Sequence, residues 1–582
     1  MHATPRVRAR RARWLLVIAV LAFGLGAYVA ADSGGTGERA LARGFVRDWS
    51  ERRYAAMYEQ LDPQTLHGAA LAHVQSVLRS TATTATLISA RPSGPPRALG
   101  AGEFEVPVRA RTRMFGTLEL SYRMRITDHE GSPAVAWSRS LAFPGLRAGE
   151  QLSRTTNLPR RASVLANDGS VLAESPAGAA GGEAAARTSP LGNAAAAVLG
   201  TVGRVPASRL AELEAMGVPS QGPVGVSGLE LALDDSLRGK PGGELLAGNR
   251  VLASVAPKAA PAVRTSISPT LQQATVAALG GQYGGIVAMR PSGQILAVAG
   301  IGLEGLQPPG STFKMVTVSA VLAAHLASPH TVFPYATHAT LDGVKLSNAN
   351  GEECGGTLET AFAVSCNSVF SPLGVKLGAT RLVAGAERLG FNSPTGIRGA
   401  PESTLPSAGE LHGELDIGST AIGQGSVLAT PLQMATVAAT IADGGQRPQP
   451  TFLAEAQPPA RSGALPASVA RTVRRLMIGV VRGGTGTSAA IPGVTVAGKT
   501  GTAELKSACP ASVGASQEGP GGGEGQESCA NEPQGANTDA WFAAFAPALH
   551  PRMVVCVLLV KDGAGGDTAA PVAREVLEAG LR

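Results

Sequence analysis

The chain is poor in the residues that most enzyme sites are built from. It has 9 histidines and 5 cysteines in 582 residues. No H-E-x-x-H run and no G-x-S-x-G elbow occurs, and no cysteine pair has histidines at zinc-finger spacing. The chain therefore carries no signature of a zinc hydrolase, of a nucleophile-elbow esterase or of a zinc finger. Lysine is as scarce. Only 8 of the 50 basic residues are lysines, against 42 arginines, and 74 glycines accompany them. That pattern reads as coding bias, so the arginines alone indicate no anionic partner. Five of them (Arg6, Arg8, Arg10, Arg11, Arg13) fall in the first thirteen residues, and without them the formal +7 drops to +2. A nucleic-acid binder needs a basic face in its folded part, and none is visible. Scarce lysines also make each lysine informative.

What is present begins with "WLLVIAVLAFGLGAYVAA", Trp14–Ala31, 18 residues without a charge. At 1.5 Å per residue a helix of that length spans roughly 27 Å, close to a bilayer core. Arginines ahead of it keep residues 1–13 cytoplasmic and put the rest outside. The expectation is an uncleaved single-pass anchor over 14–31. A cleaved signal peptide is the alternative, since "YVAAD" offers small residues for a peptidase. Either way residues 32–582 are exported.

Beyond it three regions follow. Over 38–146, Leu41, Phe45, Trp49, Tyr54, Met57 and Leu61 share one helical face. Segments "TATLISA", "EFEVPVRART", "FGTLELSYRMRIT" and "AVAWS" then alternate like strands, so a small α+β domain is expected. Residues 147–262 are rich in Gly, Ala and Pro and hold short elements around "PRRASVLANDGSVLA" and "GPVGVSGLELALDDSLRGKPGG". From 263 to 582, strands stand at the front ("GGIVAMRPSGQILAVAG") and the back ("DAWFAAF", "MVVCVLLV"), with a helical middle and a helical tail.

The sharpest ambiguity is "GVTVAGKTGTAE", Gly493–Glu504. Its first eight residues fit the phosphate-binding pattern G-x-x-x-x-G-K-T, and it also holds a K-T-G triplet. A phosphate loop needs a tight glycine turn that opens a helix. Here Val-Thr-Val-Ala favours a strand, and an exported domain meets no ATP. The K-T-G reading requires S-x-x-K and S-x-N upstream. Ser311-Thr312-Phe313-Lys314 is the sole S-x-x-K in the chain, Ser365-Cys366-Asn367 the sole S-x-N, and Lys499-Thr500-Gly501 the sole K-T-G, in the required order. "QPPGSTFKM" sets prolines and a glycine before Ser311, a helix entrance. In "ATPLQMATVAATIADGG", Thr430 is the expected N-cap, Pro431 the first helical residue and Gln433 the closing member of a capping box.

On these motifs the chain resembles the class B (monofunctional) penicillin-binding proteins. The resemblance implies an NTF2-like α+β domain at 38–146, a pedestal (dimerisation) domain at 147–262 and a transpeptidase domain at 263–582, an antiparallel sheet flanked by helices. It implies a peptidoglycan D,D-transpeptidase with no cofactor and no metal. Its partners are then stem peptides ending in D-Ala-D-Ala, β-lactams, the membrane and a glycan polymerase of the shape-elongation-division-sporulation family. In that scheme Ser311 is the nucleophile and Lys314 its base. Ser365 relays the proton, and Asn367 holds Lys314 and the substrate amide. Lys499 depresses Lys314 and attracts the carboxylate, which Thr500 and Thr502 grip beside Gly501. The backbone N–H groups of Ser311 and Thr502 form the oxyanion hole. A free lysine titrates at about 10.4 and a useful base near 7, a gap of roughly 4–5 kcal/mol that burial and a second cation must supply. The rival readings are a D,D-carboxypeptidase or β-lactamase-like hydrolase, a non-enzymatic β-lactam sensor, and a P-loop NTPase.

Export also bears on the cysteines. Cys556, inside "MVVCVLLV", is expected as a buried thiol. The other four allow three pairings, of which proximity favours Cys354–Cys366 and Cys509–Cys529. Residues Lys506–Thr538, including "EGPGGGEGQES", are expected to form a flap where the family usually has a short hairpin.

Overall fold

The computed structural model describes residues 35–176, 187–454, 460–504 and 537–582. The expected anchor at 14–31, the Cys509–Cys529 pairing and nearly all of the 506–538 flap lie outside the described residues. Among the described residues no helix is long and apolar enough to cross a membrane.

The C-terminal half is organised on five antiparallel strands: β1 (Gly284–Met289), β2 (Ile295–Gly300), β3 (Ala497–Glu504), β4 (Thr538–Ala546) and β5 (Met553–Leu559), in spatial order β2-β1-β5-β4-β3. Side chains alternate across the sheet. Val287, Met289, Trp541, Ala543, Val554 and Cys556 enter one core, while Ile286, Ala288, Phe542, Ala544, Val555 and Val557 enter another. Both faces are covered, which is why these strands read as continuous apolar runs although the sheet is antiparallel. Helices α1 (Pro269–Leu279) and α6 (Ala569–Leu581) cover one face. On the other lie α2 (Lys314–Ala323), α4 (Pro431–Ala442) and α5 (Ala467–Gly483). All twelve residues of α4 are buried, as expected of a helix apolar on every side. Thr430 caps it, accepting from the Gln433 N–H at 3.1 Å. The capping box is only half made: the Gln433 amide donates to the Leu389 carbonyl, and the Thr430 N–H goes to Ser403 Oγ. A buried carbonyl needs that donor more than an N-cap with another partner does.

Gly493–Glu504 does not form a phosphate loop. Lys499 lies within β3, which among the described residues is an edge strand paired with β4 alone.

In the N-terminal region, helices at residues 35–50, Tyr54–Glu59 and Leu71–Thr84 precede an antiparallel sheet. Phe45, Trp49, Tyr54, Met57 and Leu61 are buried and Leu41 partly so. Trp49 packs edge-on against Tyr122 and Phe143, with centroids at 5.2 and 5.9 Å. Glu103–Thr112 is a strand throughout. "TATLISA" is split instead. Its first residue ends a helix, and the strand starts at Leu87, after a left-handed Thr86. The strand Leu152–Asn157 pairs with Gly242–Ala247, whose Leu245 and Ala247 complete the same N-terminal core.

The middle region is held by charge. Glu230 and Asp234 are fully buried. Arg161 donates to both at 2.5 and 2.8 Å, Arg187 donates to Glu230 at 2.7 Å and Arg209 to Asp234 at 2.8 Å. Arg398 of the C-terminal half reaches the exposed Asp235 at 3.1 Å. Breaking one partner of a buried network strands the others. Asp234→Asn is therefore expected to cost about 3–5 kcal/mol in urea unfolding, while Arg398→Met, whose partner is solvated, costs at most about 1 kcal/mol.

Candidate active site

Three segments converge at the open side of β3. A 3₁₀ turn, Gly310–Phe313, leads into α2 and carries Ser311. Gly310 has φ +51°, and a Cβ there would meet the Thr502 carbonyl oxygen at 2.7 Å. On the facing strand, a Cβ at Gly501 would meet the Pro309 carbonyl oxygen at 2.8 Å. The two glycines let the serine turn lie directly on the edge strand.

Ser365 is placed by a helix end. Helix Leu358–Ala363 stops with the Cys366 N–H donating to the Ala361 carbonyl at 2.9 Å and the Ser365 N–H to that of Phe362 at 3.2 Å. That is a Schellman closure, and Ser365 occupies its left-handed position, φ +62°, where glycine is usual. Cys366 is disulfide-bonded to Cys354, as expected, and starts α3 (Asn367–Leu377). Cys556 is free and buried.

The structure brings all eight residues singled out from the sequence to one place. The Lys314 Nζ lies 3.0 Å from Ser311 Oγ, 2.7 Å from the Ser365 carbonyl, 3.3 Å from Ser365 Oγ and 2.6 Å from Asn367 Oδ1. Lys499 Nζ donates to Ser365 Oγ at 2.8 Å and to the Thr500 carbonyl at 3.0 Å. Ser365 Oγ thus bridges the two lysines. Gly501 is buried, and Thr502 is partly exposed at the strand edge.

Both lysines are 0 % exposed, and among the described residues neither forms an ion pair. Burial drives the Lys314 pKa far below its usual value, and the nearby Lys499 cation pushes the same way. Burial brings Lys499 to about 7. Two aromatic faces, Phe370 and Phe362, each lie 5.6 Å from a lysine nitrogen and partly offset the loss of water. The Ser365 carbonyl and Asn367 Oδ1 can only accept, so they take two N–H groups of Lys314. In the neutral amine the remaining position, a lone pair, faces the Ser311 hydroxyl. This geometry suits proton abstraction from Ser311.

Sequence reasoning missed a strap. Asn367 Nδ2 donates to the Ser347 carbonyl at 2.8 Å, which fixes the amide with its oxygen toward Lys314. Asn348, buried, accepts from the Ser368 N–H at 2.8 Å and donates to the carbonyls of Ala336 and Glu352. Neither residue belongs to a motif, so no spacing pointed to them. Among the described residues no His/Cys/Asp/Glu group could hold a metal.

The penicillin binding protein transpeptidase domain family matches residues 284–578, just over half of the chain. The chain belongs to that family. The penicillin-binding protein dimerisation domain matches residues 166–252, within the middle region, and the pair of domains is that of a class B penicillin-binding protein. Over 304 residues the chain is 34% identical to the peptidoglycan D,D-transpeptidase PbpA of Mycobacterium tuberculosis, covering 47% of this chain and 55% of that protein. The chain thus spans about half the length of the curated relatives it matches. Among solved penicillin-binding protein structures, the D,D-transpeptidase domain of a peptidoglycan glycosyltransferase from Eggerthella lenta is similar with a TM-score of 0.55 and 30% identity, over 73% of this chain and 99% of that one. The penicillin G acyl-enzyme complex of penicillin-binding protein A from M. tuberculosis is similar with a TM-score of 0.54 and 27% identity, over 73% of this chain and 100% of that one.

The pH behaviour of the fold tests the buried lysines of this penicillin-binding protein. Lys499 titrates at about 7 folded against 10.5 for the free side chain. Between those values the unfolded state holds the extra proton, so stability rises with pH. From pH 7 to pH 9 the wild type is expected to gain about 2 kcal/mol over Lys499→Met in denaturant unfolding. A difference that stays flat across that range contradicts the assignment.

Proposed function

We propose that this chain is a membrane-anchored peptidoglycan D,D-transpeptidase that works through an acyl-serine and is acylated by β-lactams. The observation that carries this reading is the hydrogen-bonded run Ser311–Lys314–Ser365–Lys499, two buried lysines joined through one hydroxyl with no carboxylate beside them among the described residues. A peptide ending in D-Ala-D-Ala brings an anion to these two lysines.

In the proposed reaction neutral Lys314 takes the proton of Ser311 as Oγ bonds to the penultimate D-alanine carbonyl. Backbone N–H groups of Ser311 and Thr502 receive the oxyanion. Ser365 passes a proton to the departing nitrogen and takes in its place the one held by Lys314, the C–N bond breaks, and D-alanine leaves. An amine from a neighbouring stem peptide then attacks the ester and restores the Ser311 hydroxyl. Lys499, Thr500 and Thr502 hold the donor's terminal carboxylate, Gly501 keeps the strand open to Ser311, and Asn367 orients Lys314 and the donor's amide. That relatives named D,D-transpeptidases align here and that a similar protein forms a penicillin G acyl-enzyme supports the reading.

The same proposal includes the expected anchor at 14–31, with arginines before it, and residues 32–582 outside the membrane. It also includes an NTF2-like identity for the N-terminal domain, supported by helices packed on an antiparallel sheet around Trp49 and Tyr122. A membrane glycan polymerase is the proposed partner that supplies the glycan strand.

Intact-protein mass spectrometry with benzylpenicillin is the first test. Wild type is expected to gain one penicillin mass and Ser311→Ala none. Lys499→Ala is expected to acylate at least about a hundredfold more slowly, since it removes both the carboxylate's cation and the charge acting on Lys314. An equal gain in Ser311→Ala overturns the proposal. With lipid-linked precursor and a glycan polymerase, dimeric stem peptides are expected, whereas free D-alanine alone indicates a hydrolase.

A further inference from the structure

Thr485 belongs to no motif read from the sequence. It lies just past the end of α5 and is exposed, so its hydroxyl contributes nothing to a core. It is nevertheless held on several sides. Its N–H donates to the Ala363 carbonyl at 3.1 Å, and its Oγ1 lies 3.4 Å from that same oxygen and 2.6 Å from Thr500 Oγ1. The neighbouring glycines leave its backbone little freedom. A Cβ at Gly484 would meet the Ala363 carbonyl oxygen at 2.2 Å, and one at Gly566 would meet the Thr485 carbonyl oxygen at 2.3 Å. Ala363 ends the helix whose closure places Ser365. Thr485 therefore ties the K-T-G strand back to the Ser365 turn, and the site closes into a ring.

Only one proton can lie between two hydroxyl oxygens 2.6 Å apart. If Thr485 gave its proton to Ala363, the Thr500 proton would turn toward Thr485 and away from the cleft. That arrangement relies on a 3.4 Å contact with the Ala363 carbonyl, long for an O–H···O bond. The 2.6 Å contact is filled either way, but if Thr485 is the donor the Thr500 proton is left for the cleft while Thr500 Oγ1 faces Lys499 Nζ at 3.4 Å on another side.

We propose that Thr485 is a positioning residue for carboxylate recognition: it donates to Thr500 Oγ1, so that Thr500 presents its own proton to the carboxylate of the acyl donor. The inference rests on the role given above to Thr500. Donors aligned in a chain polarise one another, so the hydroxyl nearest the anion is strengthened by the one behind it.

The test uses the full-length chain in detergent, with benzylpenicillin and its methyl ester as probes and acylation rates read by mass. Wild type is expected to prefer the free acid. Thr485→Val keeps the shape and loses the donor. It is expected to cut that preference about five- to tenfold, the scale of one hydrogen bond, with the loss confined to the free acid and thermal unfolding unchanged. Thr485→Ser restores it. In a Thr500→Val background, Thr485→Val is expected to add no further loss, as coupled residues do. Equal slowing of acid and ester, or no slowing in Thr485→Val, overturns the role of Thr485 while leaving Thr500 intact. A wild type that prefers neither probe overturns the Thr500 assignment and this inference with it.

Discussion

Two fully buried lysines with no carboxylate beside them among the described residues are the constraint on which the site depends. Burying an isolated charge is expensive enough that the group gives up its proton instead. Here that outcome is what the proposed proton abstraction from Ser311 requires. The fold must therefore keep Lys314 and Lys499 dry and still satisfy every N–H they carry. Carbonyls, hydroxyls and aromatic faces do this without adding negative charge. A carboxylate in the same place would hold both lysines protonated and leave Ser311 without a base.

The rest of the architecture is arranged around that dry pocket. A sheet covered on both faces supplies its floor, and an edge strand with one open side supplies its wall. Gly310 and Gly501 bring the serine turn onto that strand at distances no side chain allows. The middle region meets the catalytic half through one continuous apolar core and through Arg398, so the ion network around Asp234 and the catalytic sheet share a boundary.

Much of this was legible in the chain. Ser311, Lys314, Ser365, Asn367 and Lys499 could be read because three short motifs occur once each and in order, and lysine scarcity removed competitors. Strands such as Glu103–Thr112 and the buried pair behind "MVVCVLLV" could be read from alternation and apolar runs. The Cys354–Cys366 bridge followed from proximity. Thr485, Ser347 and Asn348 could not be read. Each acts through one hydroxyl, carbonyl or amide brought close by tertiary folding, and a lone Thr or Asn in a loop carries no periodic signal. Gln433 misled for a related reason: local spacing suggested a capping box, but a distant carbonyl at Leu389 competed for its amide and won.

Ser365 shows how folding and chemistry can disagree at a single residue. Its backbone sits where a helix ends in the left-handed region, a position glycine fills at lower conformational cost. Glycine would relax the turn and leave Lys314 and Lys499 with no hydroxyl between them. The position is thus one at which the sequence best for the fold is not the sequence best for the reaction. Stability alone favours glycine there, so the serine is held at a conformational cost that the proposed reaction accounts for.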